Sequence, residues 1–255
     1  MLETYYNELI EKEYTPFCVC LTGSQCYNLD DNSSDIDAVA FVIPSFVDIC
    51  NGGSLISEQI EMSTGSFCTL IDIRKIPELF LKGDFIHYIP LFEDTYVPEE
   101  FLDDFNSLQS IIIKLGDFNK AEILKKAMGM GRSNRKKISN EILGWNVTCG
   151  KAYVYIRWLY YFSRRILSDG WDVTSGQLPY KVNNSLREEW LLYKRGPLFL
   201  SRDSALEHTN SLLCDLADRF TRLMEEQKYT PDYTLLDPLY NWRNDFVYNY
   251  YWRNK

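Results

Sequence analysis

The spacing of apolar residues predicts an α+β fold: a small mixed β-sheet in the N-terminal third followed by a helical C-terminal half. Three observations carry this expectation. Short β-branched and aromatic runs bounded by Gly, Pro and polar turns fill the first part of the chain. Apolar residues then recur at helical period from about Leu102 onward. Glycines and prolines, the main punctuators of short elements, thin out across the same boundary. The expected division is 1–102, a sheet domain, and 103–255, a helical domain packed against it.

Phe17 to Leu21 reads as a first strand, and Thr22-Gly23-Ser24 follows at once as a turn. A polar stretch from Asn28 to Ser34 leads into Asp35 to Ile43, which reads as a second strand that Pro44 ends. Ser66 to Ile73, preceded by Gly65, has the composition of a third. Ile111 to Met128 and Glu141 to Leu167 are helical in period, and the aromatics Trp145, Tyr153, Trp158, Tyr161 and Phe162 read as helical core. Asp169-Gly170 is a stop signal for that segment. Ser204 to Gln227 is amphipathic, and the aromatic-rich Leu239 to Trp252 is expected to dock as a final helix.

Composition excludes several classes of protein. With 255 residues, 45% hydrophobic and 25% charged, the chain is neither disordered, collagen-like nor a disulfide scaffold. Its 36 acids against 27 bases give a net charge of −9, which repels polyanions as a whole, so any phosphate binding must be local. Seven scattered cysteines with only His87 and His208 to join them offer no zinc-type spacing and read as structural thiols of a reducing compartment. Neither a signal peptide nor an apolar stretch long enough to cross a bilayer is read, so the expected location is cytoplasmic, with no membrane partner.

One segment carries chemistry. Gly23-Ser24 after a strand lets backbone N–H groups approach a phosphate closely, with the Ser24 hydroxyl as a further donor. Asp35 and Asp37, read as strand residues of one parity, would share a face and repel each other unless a cation lies between them. A hard, oxygen-seeking Mg²⁺ suits that donor pair, and Asp72 on a later strand could complete a three-carboxylate site.

The run Gly23-Ser24-x-x-Tyr27-x-Leu29, then Ser34-Asp35-Ile36-Asp37 and an apolar strand, resembles the nucleotidyltransferase superfamily that includes DNA polymerase β. It is most similar to the RlaP-like group of bacterial and phage nucleotidyltransferases. Ile73-Arg74-Lys75 with Leu79 to Asp84 resembles the helix after the third carboxylate, and Lys151 to Arg157 a basic helical segment of that group. Two positions depart from the pattern: Asn28 stands where glycine is usual, and Tyr155 where histidine is expected. The resemblance implies a nucleotidyltransferase core over 1–102. In it Asp35, Asp37 and Asp72 would be catalytic and would hold two Mg²⁺ ions, while Gly23, Ser24, Lys151 and Arg157 would contact the nucleotide.

The implied reaction moves an NMP from an NTP, ATP favoured, to a hydroxyl, with an RNA such as a tRNA 3′ end as the foremost acceptor. Lys125, Lys126, Arg132, Arg135, Lys136 and Lys137 form a basic run free of acids, either a solvated face or the contact for that polyanion. Their neighbours Met128-Gly129-Met130-Gly131 suggest a loop between helices. The alternatives are a protein AMP-transferase, or a nucleotide- or protein-binding module without turnover, antitoxin-like or inhibitory, which the two departures favour.

Overall fold

The structure is a computed structural model that describes residues 1–31, 34–53, 56–115, 119–141, 145–171, 178–195, 200–227 and 233–253. In chain order it contains α1 (Leu2–Glu11), β1 (Pro16–Leu21), α2 (Gly23–Cys26), β2 (Ala38–Val42), α3 (Phe46–Cys50), β3 (Ser57–Glu61) and β4 (Phe67–Asp72). There follow α4 (Ile76–Leu81), α5 (Phe85–Tyr88), β5 (Thr95–Tyr96) and α6 (Leu102–Leu115). Five longer helices close the chain: α7 (Lys120–Asn140), α8 (Val147–Asp169), α9 (Asn184–Arg195), α10 (Arg202–Gln227) and α11 (Asp237–Arg253). The α+β class is as expected. Contacts group the chain into one unit of Met1–Cys26, Ser33–Leu115 and Asp232–Lys255, and another of Tyr27–Asn32 and Gly116–Pro231.

In the first unit the sheet has the order β3-β4-β2-β1-β5. β2 pairs parallel with β4, and all other pairings are antiparallel, so the sheet is mixed. Strand β2, Ala-Val-Ala-Phe-Val, is buried at every position, the signature of a strand covered on both faces. Strand β3, Ser-Glu-Gln-Ile-Glu, lies at the sheet edge, is mostly exposed and is polar enough to discourage pairing with a further strand. Helix α1 sets Tyr5 and Leu9 against Val19, Ala38, Ala40, Val42 and Leu70. A register shift between Pro16 and Cys18 inserts one residue into β1, which reverses the parity of Phe17. Its ring packs instead among Phe101, Phe105, Trp242 and Phe246, at centroid distances of 4.9 to 6.1 Å. The contact grouping therefore departs from the expected boundary at residue 102, because α6 and α11 bury their aromatics on the sheet unit rather than among the other helices. The docking of the last helix is as the sequence predicts. Its Tyr251 hydroxyl donates to the Pro44 carbonyl.

In the second unit, α8 carries the core. Trp158 is fully buried, stacks on Phe162 at 5.7 Å and donates its indole N–H to the Tyr180 carbonyl at 2.7 Å. The central part of the aromatic stripe is core, as its spacing predicts. Asp169 ends α8 and Gly170 follows at φ +72°, a conformation open to glycine. The expected helical runs 111–128 and 141–167 are two helices and one, respectively; residues 116–118 and 142–144 lie outside the described residues.

The expected loop around Met128 to Asn134 is absent. That stretch lies within the unbroken α7, and the reason is packing: a Cβ on Gly131 would fall 2.5 Å from Leu213 Cδ2, so the glycine admits α10 rather than breaking the helix. Gly150 plays the same part between α8 and α9, where a Cβ would collide with the Tyr193 carbonyl oxygen.

Two predictions follow from this packing. Gly150→Ala meets backbone that cannot swing aside, and should lower stability in urea by about 1–3 kcal/mol; Gly129→Ala, with nothing within 4 Å, should raise it by up to about 1 kcal/mol. Burial pushes the Tyr251 phenol up to about 12 from 10.0. The folded protein then holds this proton where the unfolded chain has lost it. Its contribution is complete below pH 10, falls as pH rises and is gone above about 12. Tyr251→Phe should make the fall in melting temperature between those limits shallower.

Candidate functional site

The end of β1 and the start of β2 meet at one end of their ladder, because Leu21 pairs with Ala38. One residue beyond, Thr22 N–H donates to the Asp37 carbonyl at 3.0 Å. Gly23 opens α2 at φ +72°, and a Cβ built on it would fall 2.9 Å from Asp37 Oδ2. Only glycine fits there for two reasons: the backbone is left-handed, and the carboxylate occupies the space of a side chain. Asp37 is half-buried, while Asp35 is exposed. Of the expected pair, Asp37 is therefore adjacent to the Gly23-Ser24 turn, and Asp35 lies two residues before it in the chain.

Their placement on a strand is not as expected. Strand β2 begins at Ala38, so both carboxylates lie in the extended segment before it, and strand parity does not set where they point. An acid on β2 itself would be fully buried, which is why the pair stops short of it.

Asp72 does not join them. In the parallel β2–β4 ladder Ala38 lies beside Cys68 and Val42 beside Asp72. Asp72 thus stands five residues along the strand direction from the level of Asp37, about 16 Å at roughly 3.3 Å per residue. The β4 residue at the level of Asp37 is Phe67, which offers no oxygen. Asp72 is also fully engaged: it is 0% exposed, accepts Arg74 N–H at 2.9 Å and receives the guanidinium through Nε at 3.0 and 3.1 Å and Nη2 at 2.7 Å. This arrangement caps the short turn at Ile73–Lys75, and the carboxylate beside Arg74 raises that guanidinium further. Among the described residues no group of three or more His, Cys, Asp or Glu side chains converges as a metal site. Of the three acids expected to hold Mg²⁺, Asp35 and Asp37 remain, on the segment before β2, and carboxylate oxygens are the donors Mg²⁺ takes when a nucleotide's phosphates supply the rest.

Residues 27–32, which follow the turn in sequence, belong to the helical unit. Asn28 takes φ +59°, the left-handed region that asparagine tolerates best after glycine. Its side-chain amide donates to the Val182 carbonyl at 2.8 Å. From α9, Arg187 donates to the carbonyls of Asn28 and Asp30, and the nearly buried Lys194 to that of Leu29 at 2.7 Å. Burial holds the Lys194 ammonium below its usual range. Nothing in the sequence singled out Arg187 and Lys194; their i, i+7 spacing on a helix was the available signal.

Lys151 and Arg157 lie six residues apart on α8, hence on different faces. Lys151 is exposed. Arg157 pairs with Glu189 at 2.7 Å and lies 4.8 Å over the Trp190 ring. Tyr155 stacks on Trp158 at 5.3 Å. Of the basic run, Lys125, Arg132 and Lys136 are exposed at i, i+7 and i+11, one stripe of α7; Lys137 is exposed as well, and Lys126 and Arg135 are half-buried. None of the seven cysteines forms a disulfide, and Cys18, Cys20, Cys26, Cys68 and Cys149 are buried. Burial pushes the Cys68 thiol up to about 12.

Among the described residues no helix is long and apolar enough to cross a membrane. Comparison with protein-family models and with curated proteins returned no match.

The two kinds of acid should separate in mutagenesis. Arg74→Ala strands a buried carboxylate and is expected to cost about 3–5 kcal/mol in urea unfolding. Asp35→Asn, at an exposed position, should change stability by less than about 0.5 kcal/mol.

Proposed function

We propose that the Gly23-Ser24 turn with Asp35 and Asp37 is the Mg²⁺-nucleotide site of a nucleotidyltransferase. The observation that carries this reading is the seating of the Asp37 carboxylate directly on the left-handed Gly23. A backbone turn able to take a phosphate and a carboxylate able to take a cation then share one end of the β1–β2 ladder. Asp35 and Asp37 would hold Mg²⁺; when bound, the ion neutralises phosphate oxygens on which charge builds during transfer. The turn N–H groups and the Ser24 hydroxyl would orient the triphosphate. The reaction served is in-line attack of an acceptor hydroxyl on the α-phosphorus, with pyrophosphate leaving. Asp72 has no part in this reading, since Arg74 occupies its oxygens. The acceptor class we favour is RNA, supported by the exposed Lys125, Arg132 and Lys136 stripe on an otherwise acidic chain.

A second reading, nucleotide binding without turnover, is favoured by one observation: the β4 position level with Asp37 is Phe67, so that strand supplies no third carboxylate for a base or a second ion there.

Incubation with α-labelled ATP and Mg²⁺, against total RNA and total protein, tests both. Wild-type protein should transfer label and release pyrophosphate. Asp35→Asn/Asp37→Asn should lose at least about a hundredfold of that rate while keeping its melting temperature. Label on protein instead of RNA would reassign the acceptor. Nucleotide binding by calorimetry with no pyrophosphate from any acceptor would establish the second reading, and retained transfer by the double variant would sink the first.

A further inference from the structure

Helix α7 carries seven bases against one acid, on a chain whose net charge is −9. This is a local reversal of sign. The sequence suggests a loop around Met128 to Asn134, but the helix runs through it unbroken and so aligns the charges. At about 3.6 residues per turn and 1.5 Å per residue, Lys125, Arg132 and Lys136 fall within about 40° of one another and span about 16 Å of the axis. All three are exposed, as is Lys137 at the border of the stripe.

This charge is not spent on the fold. The half-buried Glu122 meets Lys125 at 3.3 Å, a surface pair of small worth, and Glu141, just beyond the helix, accepts from Asn146. Arg132, Lys136 and Lys137 form no ion pair with any described residue. The arginines that line a cavity of about 600 Å³ between α8, α9 and α10 differ in this respect. There Arg157 meets Glu189, Arg165 the Leu178 carbonyl and Asp169, and Arg219 meets Asp215.

Shape selects among polyanions. Gly129 lies within the stripe, exposed, and a Cβ built on it meets nothing within 4 Å; the exposed Ser133 is one turn further on. A sugar-phosphate backbone can therefore approach the helix closely between the flanking bases. No aromatic residue occurs in α7, so the helix offers no platform on which unpaired bases would stack. Nor does it protrude: Ile123, Leu124, Ala127, Met128 and Ile138 are buried, and Gly131 admits α10. The readable groove of B-form DNA is about 8.5 Å deep, and a helix embedded along one side cannot enter it. The minor groove of A-form RNA is wide and shallow and displays 2′-hydroxyls, which a flush basic face with a hydroxyl at Ser133 can cover.

We infer that the exposed face of α7 docks double-helical RNA across its minor groove, with Lys125, Arg132, Lys136 and Lys137 on phosphates and Gly129 permitting close approach. The choice of RNA rests on the acceptor reading above; the docking is a matter of charge and shape and requires no transfer.

Fluorescence anisotropy of the full chain in EDTA, with a labelled RNA duplex of about 16 base pairs, the span of a shape-reading RNA module, tests this. The readout needs neither nucleotide nor Mg²⁺, so failure of docking and failure of transfer are distinguishable. The duplex should bind at least about tenfold more tightly than either of its strands alone. Its log affinity should fall against log salt with a slope of about −3 to −4, for four phosphate contacts. Arg132→Gln/Lys136→Gln should flatten that slope by about two and weaken the duplex about tenfold or more. Gly129→Glu, which sets a bulky carboxylate on the stripe where nothing crowds it, should weaken the duplex about tenfold or more with the melting temperature retained. Single strands that bind as tightly as the duplex, a DNA duplex of the same sequence that does so, or unchanged affinity in Gly129→Glu overturns the inference. Displacement of the duplex by polyglutamate at equal charge concentration would assign the face to an acidic protein segment instead.

Discussion

Parallel pairing of β2 with β4, in the register that sets Ala38 beside Cys68, governs the rest of the sheet unit. It places β2 between β1 and β4 and so buries all five of its residues, which excludes any charged side chain from the strand. It also assigns each acid to an end. Asp37 falls just before the ladder, where β1 ends and Gly23 has no side chain to compete with it. Asp72 falls at the last rung, where its carboxylate is shut from water and must be matched by Arg74. A shift of one residue would exchange the faces of every strand residue, and the apolar seal against Tyr5 and Leu9 resists that shift.

Charge in this protein is organised locally, and the net value conceals it. The acidic total coexists with an arginine-lined cavity, with an exposed basic stripe on α7, and with a nearly buried lysine that holds a loop carbonyl. These arrangements share a physical basis. A cation removed from water needs either a carboxylate, a carbonyl or an aromatic face, and the helical unit supplies all three. Arg157 draws on two of these at once, lying over Trp190 while its Nη1 donates to Glu189, and Arg74 draws on a carboxylate alone, that of Asp72.

Much of the fold was legible because burial and period agree. Strands at Phe17–Leu21, Ala38–Val42 and Phe67–Asp72, the stop at Gly170 and the last two long helices all have apolar patterns matched to their environment. Elements without such a pattern were not legible. Strand β3 is polar because it is an edge, and β5 has only Thr95 and Tyr96, too few for a period to show. Gly131 read as punctuation because a glycine that admits a neighbouring helix and one that ends a helix look alike in sequence. Arg164 and Arg165 of α8 were passed over because they lie within the aromatic stripe that read as helical core.

The sequence by itself determined the α+β class and the nearness of Gly23-Ser24 to Asp37, since a single turn and one antiparallel rung bring residues so close in the chain together. The fate of Asp72, the left-handed role of Asn28, the attachment of α6 and α11 to the sheet and the convergence of arginines from α8 and α10 were decided by tertiary structure alone. Each depends on register or on packing between segments distant in sequence, and local pattern carries no information about either until the chain has closed on itself.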